Sequence, residues 1–232
     1  MSLQLKEILP GIYHIKFPSQ YELTSTFMRL QEFYESSFEE IRNQYFTVEQ
    51  YMDRYAQEFG NFTYFSDWNG FNVPGDVIGR FFRKFSNIKS RHTYQYLTIK
   101  EKRLLKLVLS LIQSDTNFYL IATHDDQSLQ HEIAHGFWYL NDKYQKAMMK
   151  LVSKYEHANE FKALLQKEGY GDNVLDDEIH AYLVDSPKSY LKKKFKFKQT
   201  WSIPTGFKKV FDKHKKEQEK IMKEKQNDAE SN

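Results

Sequence analysis

The sequence predicts an α+β fold, mainly helical, with a small sheet in an N-terminal lobe and a helical C-terminal lobe. Three observations carry this reading. Most apolar residues recur at spacings of three and four, the signature of amphipathic helices. Only a few short segments alternate or run continuously apolar, as strands do. The 232 residues, 40% hydrophobic and 28% charged with 16 Tyr and 19 Phe, suffice for one buried core, which excludes global disorder.

Gly11 to Phe17 alternates, with Tyr13, Ile15 and Phe17 on one side, as a half-buried strand does. Phe27, Leu30, Tyr34, Phe38 and Ile41 then form a helical stripe. Thr47 and Gln50 make a capping box for a second helix that Gly60 can end. Asn61 to Phe65 reads as a short strand, residues 67–75 as a loop rich in turn formers around Trp68 and Phe71, and Asp76 to Phe85 as a helix. Thr98 and Glu101 cap a buried helix over residues 99–113, and Phe118 to Thr123 is an apolar strand. After a polar loop, His124-Asp125-Asp126-Gln127, comes a helix with Leu129, Ile133, Phe137 and Leu140 as its apolar stripe. A helix is expected from about Tyr144 to Glu168, and another through residues 175–184 behind Asp172 or Asn173 as cap.

Composition narrows the chemistry. With no Cys, disulfides and thiolate ligands are excluded, so any metal must sit on His and carboxylates. No apolar run approaches the roughly 18 residues of a membrane span, and Lys6 and Glu7 interrupt the N-terminal apolar stretch, so the reading is a soluble cytoplasmic protein without membrane attachment. Charge is uneven, because residues 188–225 hold fourteen Lys against four acidic side chains. Residues 188–232 therefore read as a basic extension of a domain over 1–187. Lys192 to Lys198 looks like a Lys-protected edge strand, residues 213–232 fray into disorder, and 188–225 is a candidate surface for nucleic acid or an acidic partner.

His131-Glu132-Ile133-Ala134-His135 is an HExxH sequence. Residues four apart on a helix lie about 40° apart around its axis, so both imidazoles can reach one ion while Glu132 projects to their flank. Neutral imidazole suits zinc, and a catalytic zinc takes three protein ligands. Ala134 and Trp138 on the histidine side suggest a helix covered on both faces, with the site in a cleft between the lobes. For the third ligand, Glu178 lies beside the apolar stripe of Leu175, Ile179, Tyr182 and Leu183, whereas Asp177 points farther round and His180 roughly 160° away. Tyr139, Tyr182 and His180 are candidate oxyanion donors.

With Glu178-Ile179-His180-Ala181 following the HExxH helix, the sequence resembles the gluzincin metallopeptidases over roughly residues 117–185. The resemblance implies a zincin-like fold, His131, His135 and Glu178 as zinc ligands, Glu132 as general base, a polypeptide substrate, and an edge strand, matched by Phe118 to Thr123, on which a peptide lies. The 42 residues between His135 and Glu178 exceed the usual spacing, and Tyr182 stands where some families have Asp. The expected function is therefore a zinc metallopeptidase. Its rivals are a non-proteolytic zincin-like binding protein and a polyanion-binding protein acting through the Lys-rich segment.

Overall fold

The computed structural model describes residues 3–86, 96–114 and 116–230. In chain order these form β1 (Leu5–Leu9), β2 (Ile12–Lys16), α1 (Gln20–Glu35), α2 (Val48–Phe59), α3 (Tyr64–Asp67), β3 (Gly70–Pro74), α4 (Gly75–Phe85), α5 (Ile99–Gln113) and β4 (Tyr119–Thr123). There follow α6 (Leu129–Leu140), α7 (Asp142–Val152), α8 (Ala158–Lys167), a 3-10 turn (Asp172–Val174), α9 (Leu175–Asp185), α10 (Lys188–Phe195) and α11 (Thr205–Glu230). The chain is thus α+β and mainly helical, and it divides into two compact units: Met1–Lys6 with Tyr13–Leu129, and Glu7–Ile12 with Gln130–Asn232. No described helix is long and apolar enough to cross a membrane.

In the first unit the aromatic residues do the packing. Phe27 stacks on Phe71 at 5.6 Å between centroids and Phe81 on Phe85 at 4.3 Å, joining α1, β3 and α4 in one core. The helix ends obey local rules: Thr47 with Gln50 and Thr98 with Glu101 form complete capping boxes, and Gly60 closes α2 at φ 84°, a region that costs a side-chain-bearing residue energy. Glu101 has a second task, because its carboxylate also takes the buried guanidinium of Arg29, with Nε to Oε1 at 2.8 Å.

The strands run in the order β1-β2-β4-β3, and β3 pairs antiparallel with β4, Phe71 opposite Ala122. Two expectations fail here. Residues 64–67 are helical rather than part of a strand, and the turn-rich segment 70–74 is itself a strand, since Phe71 and Val73 alternate inward and pairing with β4 satisfies its backbone. Nor is β4 an edge. It lies between β2 and β3 with all five residues buried, so its backbone groups are occupied and it cannot take a peptide by strand addition.

The second unit is helical from α6 onward, with α7, α8 and α11 all packed against α9. The single helix expected over residues 144–168 is two, α7 and α8, broken around Ser153 to His157, and α9 starts from Val174 with no side-chain cap. The Lys-rich segment is helix α10 rather than an edge strand. Leu191 and Phe195, four apart, are buried on one side, and Lys196 ends the helix in the left-handed region at φ 58°. Residues 213–230 continue α11 as helix rather than fraying, anchored by buried Phe207 and Phe211 at its start.

Candidate metal centre

Just before α6, Asp125 accepts hydrogen bonds at Oδ1 from the backbone N–H of Gln127 (3.0 Å) and Ser128 (3.4 Å), a local turn that leads into the helix. Residues 132–137 of α6 are then buried on every side. Phe137 packs on Tyr144, Phe211 and His214, which fixes the rotation of the helix. With that side in the core, His131 and His135 are brought together with their Nε2 atoms 3.2 Å apart.

Glu178 on α9 completes the cluster. Its Oε1 is 3.6 Å from His135 Nε2 and its Oε2 is 3.7 Å from His131 Nε2. All three side chains belong to the second unit and could hold a metal ion together. Donors bound tetrahedrally at about 2.1 Å lie ~3.4 Å from one another, and one ligand atom from each of the three side chains can be chosen so that all lie within 4.8 Å of one another. The chemistry of the donors agrees, two imidazole nitrogens and a carboxylate oxygen, and Glu178 Oε2 is buried without a hydrogen-bond partner among the described residues.

No family model, no curated protein and no solved structure matches this chain.

The electrostatics are those of a site crowded with acid. Burial raises the Glu178 carboxyl to about 7, against the opposing pull of His135 and with the repulsion of Asp177 and Glu132 added. Burial works against charge on His135 too, yet Asp177 and Glu178 overcome it and lift that imidazole to about 10. His131 moves the other way, well below its ordinary value, because it is desolvated and next to a cationic His135. Glu132 is buried on the same turn of α6, and its charge acts on both His135 and Glu178.

The structure departs from the helical-wheel reading at the neighbours of Glu178. His180 is fully buried, because α9 is enclosed by α7, α8 and α11, and Asp177 is half-buried. Asp177 Oδ1 is 2.9 Å from His135 Nδ1 and 3.2 Å from His180 Nδ1. His180 keeps its other nitrogen 3.3 Å from the Ala134 carbonyl and stacks on Trp138, so it supports Asp177 and is not gathered with the ligand atoms. Of the expected oxyanion donors, Tyr182 lies with its ring 4.5 Å from that of His131. Two residues absent from the sequence-based list also gather there: the Tyr170 hydroxyl is 2.9 Å from that of Tyr182, and Lys194 Nζ donates to Tyr182 Oη at 2.8 Å. Nothing in the local sequence marks them, since Lys194 is one Lys in a run and Tyr170 one of sixteen Tyr.

Proposed function

We propose that His131, His135 and Glu178 hold a zinc ion and that the chain is a zinc-dependent hydrolase of the metallopeptidase type, acting on polypeptide. The observation that carries this reading is the buried Glu178 Oε2, without a hydrogen-bond partner among the described residues, set against two converging imidazole nitrogens. Bound zinc supplies Lewis-acid activation of water and of a carbonyl oxygen. Asp177, at Nδ1 of His135, holds that ring in the tautomer whose Nε2 is a free donor to metal. Glu132, beside the second ligand, takes the proton from the attacking water and returns it to the leaving amine. Burial of Glu132, His135 and Glu178 keeps bulk water from competing for these charges.

The test is elemental analysis of protein purified without added metal, followed by digestion of a peptide library read by mass spectrometry. Wild type is expected to carry one zinc per chain and His131→Ala to lose it. Glu132→Gln is expected to keep zinc while cleaving at least about a hundredfold more slowly, the usual contribution of a general base. Wild type without metal sinks the reading. Metal with no cleavage by either protein leaves a non-proteolytic metal-binding protein.

A further inference from the structure

Where α9 ends and α11 begins, the second unit carries a groove of about 840 Å³. One side is aliphatic, made by Leu183 and Val184 from the last turn of α9 and by Ile203 and Pro204 from the segment before α11. The other side is a row of lysines. Lys209, Lys213 and Lys216 fall within about 60° of one another around α11, opposite buried Phe207 and Phe211, and span ~10.5 Å along its axis. Lys208 adds a fourth positive charge, against two acids in the groove, Asp185 and Asp212, the second of which Lys208 holds at 3.0 Å. Lys213 has only Glu217, at 4.0 Å, and Lys209 and Lys216 have no carboxylate within 4 Å among the described residues. Thr205, the first residue of α11, also lines the groove, and with no acidic side chain in that turn the positive end of the helix adds to the same field. Surplus positive charge thus runs beside an aliphatic wall.

We propose that this groove docks an extended segment of another polypeptide in which acidic residues alternate with aliphatic ones. In an extended chain successive side chains point to opposite sides, and those on one side recur every ~6.6 Å. Two or three carboxylates along one edge of such a segment therefore match the lysine row, while the side chains between them meet Leu183, Val184, Ile203 and Pro204. The charge selects for acid and the aliphatic wall selects for the alternation. A nucleic-acid strand fits less well. Among the described residues no aromatic side chain lines the groove to stack a base, and a chain with a phosphate at every nucleotide cannot avoid Asp185. The proposal gives the Lys-rich segment a partner and does not depend on the metal reading.

Full-length protein titrated into a fluorescein-labelled ten-residue peptide of alternating Glu and Val, followed by fluorescence anisotropy, tests this. Wild type is expected to bind the peptide saturably, and more tightly than one of the same composition with Glu and Val in two blocks. Joint Lys209→Glu, Lys213→Glu and Lys216→Glu substitution is expected to weaken binding roughly ten- to a hundredfold, since each exposed pair is worth about two- to fivefold and reversal adds repulsion. Joint Lys220→Glu, Lys223→Glu and Lys225→Glu substitution makes the same change in net charge beyond the groove and is expected to leave binding within about twofold. Ile203→Ser is expected to weaken the alternating peptide severalfold. Thermal melts confirm folding, and the six lysines are exposed, so the lysine variants decide the matter even if Ile203→Ser does not fold. Absence of saturable binding by wild type overturns the proposal. Equal losses in the two lysine triples overturn it too, because they mark diffuse attraction, and equal affinity for the alternating and blocked peptides refutes the part given to the aliphatic wall. Tighter binding of oligothymidylate or of phosphatidylserine vesicles, lost in the groove triple, assigns the groove to nucleic acid or to a membrane surface instead.

Discussion

His135 has two ring nitrogens, and consecutive residues of α9 take one each. Asp177 stands at Nδ1 and Glu178 near Nε2, because side chains 100° apart on one helix reach the two edges of an imidazole lying across it. The carboxylate facing the second nitrogen of this candidate ligand histidine is supplied from the position directly before the candidate ligand Glu178. Burial disfavours charge on Asp177, but His135 and His180 hold its carboxyl below the usual range, so it is an anion at neutral pH. We expect Asp177→Ala to lower zinc affinity roughly 10–100-fold, the usual cost of losing such a partner. Competition titration with a chromophoric chelator measures this, and an unchanged affinity would show that His135 needs no orienting group. On the helical wheel Asp177 points farther round than Glu178, yet in the structure both carboxylates reach the same imidazole.

At the scale of elements, the segment after Pro187 changes meaning. Its lysines suggested a separable basic extension, yet Leu191, Phe195, Phe197, Trp201, Phe207 and Phe211 are all buried. Fully burying one such side chain is worth about 1.5–3 kcal/mol, so the six together contribute about 9–18 kcal/mol, as much as the roughly 5–15 kcal/mol by which a domain is stable. A chain ending at residue 187 is therefore expected to lose the folded second unit, whereas one ending at residue 218 should melt within a few degrees of the full chain, because the rest of α11 is largely exposed. Circular dichroism of the two truncations distinguishes these outcomes, and a cooperative melt from the shorter one would refute the assignment. Four lysines of α11, at 208, 213, 215 and 220, have acidic partners four residues on, at 212, 217, 219 and 224. That pattern supports a solvated helix face on α11.

At the scale of the whole molecule, each unit has its own buried acid. In the first, burial raises the Glu32 carboxyl above its ordinary 4.5, although Tyr64, Ser36 and Tyr51 favour the charged form. The sign of the linkage follows: the folded state keeps this proton after the unfolded chain has released it, so stability present below about pH 4.5 is lost as pH rises through the folded pKa. Glu32→Gln should therefore gain melting temperature relative to wild type on going from pH 4.5 to pH 8. Parallel curves for the two proteins across that range would show that Glu32 contributes nothing to the pH dependence.

The sequence by itself determined what depends on neighbours along the chain. Capping boxes at Thr47 and Thr98, the stop at Gly60, the helix bearing His131 and His135, and the phase that turns Glu178 toward the same point all follow from spacing on a helix of known pitch. Tertiary structure alone decided the rest. Whether residues 70–74 form a loop or a strand depended on β4 being there to pair with them, and whether His180 faces water depended on how many helices cover α9. Lys194 meets Tyr182, and Tyr182 meets Tyr170, across 12 residues in each case. Such contacts leave no trace in local periodicity, because a pattern of apolar and polar residues records which side of an element is buried and not which polar groups meet there.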